Sequence, residues 1–480
     1  MNILKILRKP LSVLVLLFLF TGIALQAQQA KYVFYFIGDG MGISHVAAAE
    51  AYLAAINGEK GFEKMSFSEF PVTGLSTTHA GNRFITGSAA AGTALATGHK
   101  TTINTIGMDG AKEKPLTNIA EMAKKRGLKV GIISSVSINH ATPACFYAHQ
   151  PLRNMYYEIA LDLPKSGFDF FGGGGFNDPT GKSGDQPSAY QLAIDQGYQV
   201  VNTTEEFYGL KKGDDRVIAT GTMLESSGAL PYAIDRTEKD IPLEDFVGKA
   251  IEVLDNKKGF FIMCEEGKID WASHPNDGVT VIHNVISLSK AVEKAFEFYR
   301  QYPDETLIVV TSDHETGGMA LGHTLTKYES QFSLLTMQKM SMEAFAVMAD
   351  SMFRHTENAD FDLMMELVRE NFGLTDALLT DFDKQRLQEA FLVMTGQMDM
   401  SADEQYVRYG GTHPVAVTAA KILNQKAGID WTTWSHTAIP VPVFAIGAGQ
   451  ELFDGYYDNT DIPKKISRAM GMKEAEVHFN

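Results

Sequence analysis

KYVFYFI (Lys31–Ile37), followed at once by Gly38-Asp39-Gly40-Met41-Gly42, is the stretch that decides the fold. A near-continuous run of aromatic and β-branched side chains, without polar alternation, predicts a strand buried on both faces. The glycines after it predict a tight loop folded closely around a ligand, with Asp39 as its charged group. The same pattern recurs down the chain. KVGIISSV (Lys129–Val136) runs into Asn139-His140-Ala141-Thr142-Pro143, and GFFIM (Gly259–Met263) into Cys264-Glu265-Glu266-Gly267. TLIVV (Thr306–Val310) leads to Thr311-Ser312-Asp313-His314, and VPVFAI (Val441–Ile446) to Gly447. Helical stretches are expected between them, at 44–55, 116–126 and 282–299. Buried strands alternating with helices predict an α/β fold, a mostly parallel central sheet covered on both faces. Ligands in such sheets collect at the carboxyl ends of the strands. Here those ends carry Asp, Glu, His and Thr.

The 480 residues suit a large α/β domain with insertions, and 45% hydrophobic with 21% charged residues is ordinary globular composition. This excludes disordered, collagenous and polytopic membrane classes. A net charge of −16 argues against a basic nucleic-acid-binding surface. Two cysteines make neither a disulfide framework nor a zinc-finger array, and Cys145 and Cys264 are expected as buried free thiols. Lys5, Arg8 and Lys9 precede an apolar run from Leu11 to Ala24. This predicts a signal peptide over 1–27, with 28–480 exported to the periplasm or the extracellular space. An uncleaved anchor is the alternative, but the run is short for spanning. No later run suggests a membrane anchor in the mature form.

Residues 322–430 change character, with Met, Leu, Phe and acidic residues at helical spacing in 341–353, 360–372 and 381–395. They are expected to be a mostly helical insertion, their methionines serving packing. Gly172–Gly175 follows FDFF and is expected to be a tight loop; no helix opening with Lys-Ser/Thr follows to make it a phosphate cradle.

The candidate chemistry lies at the strand ends. Asp270 and His274 are spaced to share one side of a helical turn. Asp313 and His314 are adjacent, and His436 precedes Thr437. Carboxylates and imidazoles without thiolates suit catalytic Zn²⁺, and oxygen-only sets suit Mg²⁺. Thr86-Gly87-Ser88-Ala89-Ala90-Ala91-Gly92-Thr93 places Ser88 at the start of a small-residue helix. Ser88 there is either a nucleophile favoured by the helix N-terminus or a simple N-cap. Arg153 offers a donor fork for phosphoryl oxygens.

In this order these motifs resemble the alkaline phosphatases, from Lys31 to about Thr460. The carrying residues are Gly38–Gly42, Ser88-Ala89-Ala90 with Thr93-Ala94, His140–Pro143, Arg153, Glu265 through His274, Asp313-His314 and His436-Thr437. The segment Pro231-Tyr232 with Asp235-Arg236 also resembles the family. The resemblance implies a three-layer α/β/α sandwich and three metal sites. One Zn²⁺ would take Asp270, His274 and His436. A second would take Asp39, Asp313, His314 and the Ser88 oxygen. Mg²⁺ would take Asp39, Thr142 and Glu265. It implies hydrolysis of phosphate monoesters to an alcohol and inorganic phosphate, with Ser88 attacking in line, Arg153 neutralising non-bridging oxygens, and a phosphoserine intermediate. A homodimer is a further expectation.

Three positions depart from the family pattern. Gly87 stands where well-known bacterial members carry an acidic residue, which removes one restraint on Arg153. His140 is aspartate in some bacterial members and histidine in animal ones. Trp271 replaces a basic or imidazole group. His140 and Trp271 are expected beside the magnesium ligands. Three alternatives are a phosphodiesterase of the same superfamily, a sulfatase, and a non-catalytic phosphate- or metal-binding protein. A sulfatase of this kind needs Cys or Ser followed by x-Pro-x-Arg, whereas Ser88 is followed by Ala89-Ala90-Ala91.

Overall fold

In a computed structural model, residues 29–353 and 360–472 are described. The proposed signal peptide, His355 and His478 lie outside them. The Tyr32–Gly38 strand is buried along its whole length. Its odd and even residues feed different cores: Phe34 and Phe36 pack into one, Val33, Tyr35 and Ile37 into the other. That is the physical meaning of the unbroken apolar run, since both faces of the sheet are covered. Each fully buried phenylalanine contributes about 1.5–3 kcal/mol relative to exposure.

The strand sits inside a ten-stranded sheet. Spatial order is Gly455–Asp458, Val72–Thr77, Val441–Gly447, Thr306–Thr311, Tyr32–Gly38, Phe260–Glu266, Lys129–Ser134, Phe170–Gly173, Val217–Thr220 and Gln199–Val201. Neighbours are parallel except at Val441–Gly447, which runs antiparallel to both of its neighbours. Helices Ile43–Ile56, Leu243–Leu254 and Gly278–Gln301 contribute to one core. Helices Ser88–Thr97, Ile119–Lys125 and Asp461–Ala469 contribute to the other. The result is a three-layer α/β/α sandwich.

Register aligns the strand ends. Ile37 lies opposite both Glu265 and Thr311, and Ser134 opposite Glu265. The residues that follow each strand therefore emerge side by side.

Residues 322–430 contain helices Met342–Phe353, Phe361–Phe372, Asp381–Met394, Ala402–Tyr409 and Pro414–Ala427. The antiparallel pairing of Ala320–Leu321 with Ile429–Asp430 brackets the segment. Cys145 and Cys264 are buried and free.

The glycine run differs from expectation. Gly172 and Gly173 belong to the Phe170–Gly173 strand rather than to a loop. Gly173 has φ +111, and a Cβ there would collide with the Ser134 carbonyl of the neighbouring strand. The glycines serve close strand approach, which composition alone reads as a turn. Gly173→Ala is expected to cost more than about 1–3 kcal/mol. Gly167→Ala, at φ +63 in open space, should cost about 1–2 kcal/mol. Urea unfolding of both variants checks the difference.

Candidate active site

Asp39 follows the central strand and is completely buried, with Glu265, Asp313 and His314 equally enclosed. His314 Nε2 lies 3.4 Å from Asp39 Oδ1 and 3.3 Å from Asp313 Oδ2. Ser88 Oγ stands 3.4 Å from the same nitrogen. Ser88 opens the Ser88–Thr97 helix as its first helical residue, and Gly87 occupies the N-cap. The serine hydroxyl is therefore not the cap and points at the cluster. Gly92, one turn on, lets this helix approach the Ala141–Ala144 turn, since a Cβ would meet Cys145 Sγ at 3.2 Å and Thr142 Cα at 3.3 Å.

A second group adjoins the first. His274 Nε2 is 3.4 Å from Asp270 Oδ2, and His436 Nε2 is 3.5 Å from Asp270 Oδ1. His274 Nδ1 hydrogen-bonds the Trp434 carbonyl at 2.7 Å, and His436 Nδ1 the Thr86 carbonyl at 2.9 Å. A carbonyl only accepts, so both Nδ1 atoms carry the proton. Both Nε2 atoms then offer lone pairs, yet they face each other at 3.2 Å. Two acceptors at that distance need a cation between them. A metal ion fits, and a proton substitutes in its absence. Asp270, His314 and His436 also offer atoms within 4.8 Å of one another, as do Asp39, Asp313 and His314. His314 thus bridges the two clusters.

The third set offers oxygens only. Thr142 Oγ1 lies 3.5 Å from Asp39 Oδ2, and Glu265 accepts from Ser134. Asp39 Oδ1, Asp313 Oδ2 and Glu265 Oε1 are buried without a hydrogen-bond donor. Buried carboxylate oxygens without partners are costly, and divalent cations resolve that cost. The donor sets therefore fit borderline and hard divalent ions.

Electrostatics agree. Burial, then repulsion from Asp313, Asp270 and Glu265, pushes Asp39 well above the usual carboxylate range. Burial likewise raises Glu265 to about 8 and Asp313 to about 7, with carboxylate neighbours adding to each. Burial alone would raise Asp270, but His274 and His436 hold it well below its ordinary value. His274 resists the lowering effect of burial and rises to about 9 because Asp270 lies beside it. Burial lowers His436, and lowers His314 well below its ordinary value with help from His436.

Arg153 lies across the opening and donates to His140 Nε2 at 3.0 Å. His140 thereby restrains the guanidinium, while Gly87 offers it no side chain. Trp271 packs edge-on to His140 with centroids 5.6 Å apart. Burial, then Arg153, lowers His140 to about 3, so it stays a neutral acceptor.

Every candidate site residue named from the sequence thus lies in one neighbourhood. Sequence reasoning missed several supports. Ser134 holds Glu265, Thr316 Oγ1 donates to Asp270 Oδ1 at 2.5 Å, and the Thr86 and Trp434 carbonyls orient imidazoles. Ser134 lay inside a strand expected over Lys129–Val136, but nothing in the sequence paired that strand with the one ending at Glu265. The carbonyls were not discoverable either, since any residue type supplies one. His45 is buried, hydrogen-bonds Ser273 Oγ at 3.2 Å, and is lowered to about 4 by burial. His149 pairs with Glu121 at 3.0 Å.

The family profile described as "Alkaline phosphatase" matches residues 30–172 and 177–472. The chain belongs to the alkaline phosphatase family. Alkaline phosphatase 4 of Bacillus subtilis (strain 168) is 32% identical over 444 residues, covering 90% of this chain and 87% of that protein. The crystal structure of the cold-active alkaline phosphatase from the psychrophile Shewanella sp. superposes with a TM-score of 0.76 at 29% identity, covering 92% of this chain and 99% of that one. A histidine-to-glutamate variant of the alkaline phosphatase from the Antarctic bacterium TAB5, with Mg bound in its M3 site, superposes with a TM-score of 0.64 at 25% identity, covering 93% and 100%. This alkaline phosphatase is a phosphoric monoester hydrolase, and metal cofactors belong to its chemistry.

The raised groups set a pH dependence for the metal-stripped alkaline phosphatase. Glu265 and His274 both lie above their ordinary values when folded. The stability their protonated forms contribute is complete below the unfolded-state values and is lost as pH climbs through about 8 and about 9. The chelated protein should melt lower at pH ~9.5 than at pH ~7. Reloading with Zn²⁺ and Mg²⁺ should abolish most of that drop in scanning calorimetry.

Proposed function

We propose that this phosphomonoesterase works through a phosphoserine on Ser88 at a two-zinc plus magnesium centre. The observation carrying this reading is the pair of facing Nε2 lone pairs beside Asp270, next to the donor-less Asp39, Asp313 and Glu265 oxygens. Asp270, His274 and His436 would hold one Zn²⁺. Asp39, Asp313 and His314 would hold the second beside Ser88. Asp39, Thr142 and Glu265 would hold Mg²⁺, in keeping with the Mg found in the TAB5 variant. Bound there, the divalent ions would acidify the serine hydroxyl and neutralise charge on the attacking and departing oxygens.

The remaining work falls to side chains. Ser88 Oγ, at the N-terminus of its helix, attacks phosphorus in line; the Oγ–P bond forms as the bond to the alcohol oxygen breaks. The Arg153 fork holds two non-bridging oxygens. His140 keeps that fork turned toward the cleft. Water then attacks the phosphoserine, the Oγ–P bond breaks, and inorganic phosphate leaves. A serine paired with an arginine fork favours a terminal dianionic phosphate over a diester. Export to the periplasm or the extracellular space, and a homodimer, complete the proposal. No helix among the described residues is long and apolar enough to cross a membrane.

Ser88→Ala is expected to lower chelator-sensitive hydrolysis of a chromogenic monoester by more than about a thousand-fold. Wild-type activity should rank monoester above diester and sulfate. Full chelator-sensitive activity in Ser88→Ala contradicts the mechanism. Arg153→Lys keeps the charge but loses the fork. It should lower kcat/KM about 10- to 100-fold and weaken inhibition by inorganic phosphate. Zinc-reloaded enzyme should respond to added Mg²⁺; a flat response removes the third site from the scheme.

A further inference from the structure

One buried acid takes no part in the chemistry above. Glu266 is 1% exposed and stands directly beside Glu265 at the end of the Phe260–Glu266 strand. Successive strand residues face opposite sides of a sheet. Glu265 shares its face with Phe261 and Met263, in the core that includes the Ser88–Thr97 helix. Glu266 shares its face with Phe260, Ile262 and Cys264, in the core that includes the Gly278–Gln301 helix.

The neighbouring strand repeats this alternation. Ser134 donates to Glu265, and Ser135 Oγ donates to Glu266 Oε1 at 2.6 Å on the opposite face. Fold stability does not call for a carboxylate here, because a charge removed from water is a costly way to fasten two strands.

Backbone bonds connect Glu266 to the ligand positions. Its carbonyl accepts from Asp39 N–H at 3.2 Å, and Ser135 N–H donates to the Glu265 carbonyl at 3.1 Å. Ser135 Oγ also accepts from Gly267 N–H at 2.9 Å, at the turn into the Lys268–Ser273 helix that carries Asp270. A carboxylate only accepts, so the Ser135 proton points at Glu266 and its lone pairs are left for Gly267.

The far side of this knot is braced by the segment that carries Pro231-Tyr232 and Asp235-Arg236. Ala233 N–H donates to Asn284 Oδ1 at 2.9 Å, and Asn284 Nδ2 donates to the Lys268 carbonyl at 3.2 Å. Arg236 Nη2 donates to Ser287 Oγ at 2.6 Å, one helical turn beyond Asn284. Burial pushes the Glu266 carboxyl up, and the Arg236 guanidinium is the strongest influence opposing it.

We propose that Glu266 is a positioning residue, whose bond to Ser135 holds the strand end so that Glu265 and Asp39 present their oxygens together. It touches neither substrate nor metal. It acts through the two residues that share the oxygen-only site, as outer partners tune metal sites generally. This inference rests on the magnesium site proposed above.

The test is calorimetric titration of Mg²⁺ into the zinc-loaded full chain. Glu266→Asp keeps the charge but shortens the reach to Ser135. It should raise the Mg²⁺ dissociation constant about ten-fold, and Ser135→Ala should do the same. Glu266→Gln keeps the reach and an acceptor oxygen. It should bind Mg²⁺ within about three-fold of wild type, while melting lower because Arg236 loses its counter-charge. The half-saturating Mg²⁺ concentration for kcat should move with the dissociation constant, and KM for a monoester should not. Wild-type Mg²⁺ affinity in both Glu266→Asp and Ser135→Ala overturns the proposal, whatever their melting temperatures. Equal weakening in Glu266→Gln and Glu266→Asp overturns it too, because the charge and not the Ser135 bond would then be responsible. Failure of the magnesium site itself reads out separately, as absence of Mg²⁺ uptake by the wild type, and both readings then fall.

Discussion

Buried negative charge is the constraint on which the rest depends. Asp39, Glu265 and Asp313 come to one place because parallel strands end in register, and none has solvent to share its charge. Three carboxyl groups in a dry pocket repel each other and rise toward neutrality. A sheet that gathers them there is stable in their charged form only with cations among them. The strands that build the core thus also create the demand for metal. The same geometry explains why the serine sits where it does: Gly92 draws its helix against the Thr142 turn, within reach of His314.

Much of this was legible in the sequence, for specific reasons. Buried parallel strands need apolar residues on both faces, so KYVFYFI and its counterparts announce themselves without periodicity analysis. Polar residues directly after such runs have one side of the sheet to occupy, which is why Asp39, Glu265, Asp313 and His314 could be grouped before any coordinates. Helix boundaries were less exact. Residues 116–118 read as helical, yet the helix begins at Ile119 because Asn118 caps it through Glu121. The glycines at 172 and 173 read as a loop because composition records flexibility but not the neighbouring strand that excludes a Cβ. What sequence could not show were backbone contacts. The orientation of His436 depends on a carbonyl 350 residues away in sequence, and that partner has no chemical signature.

Arg153 is held by an uncharged partner. With glycine at position 87, the guanidinium has no acidic neighbour there, and it donates to His140 Nε2. That bond works only while His140 is neutral, because a protonated imidazole has no acceptor nitrogen. Burial and the guanidinium itself keep it neutral. An uncharged acceptor orients Arg153 but holds it less strongly than a carboxylate does. Trp271, packed against the same ring, limits how far it can turn.

The helical segment 322–430 touches the chemistry through Trp434. The indole N–H of Trp434 donates to the Val407 carbonyl at 3.3 Å, inside that segment. The carbonyl of the same residue holds His274 Nδ1. Gly410 lies so close that a Cβ would meet the indole at 2.7 Å. A displacement of the Ala402–Tyr409 helix therefore moves the group that fixes the tautomer of a candidate zinc ligand. Outer partners of this kind set the direction of an imidazole lone pair as firmly as the backbone that carries it. The segment is thus more than a cover on the sheet, because it holds the indole of the residue whose carbonyl orients His274.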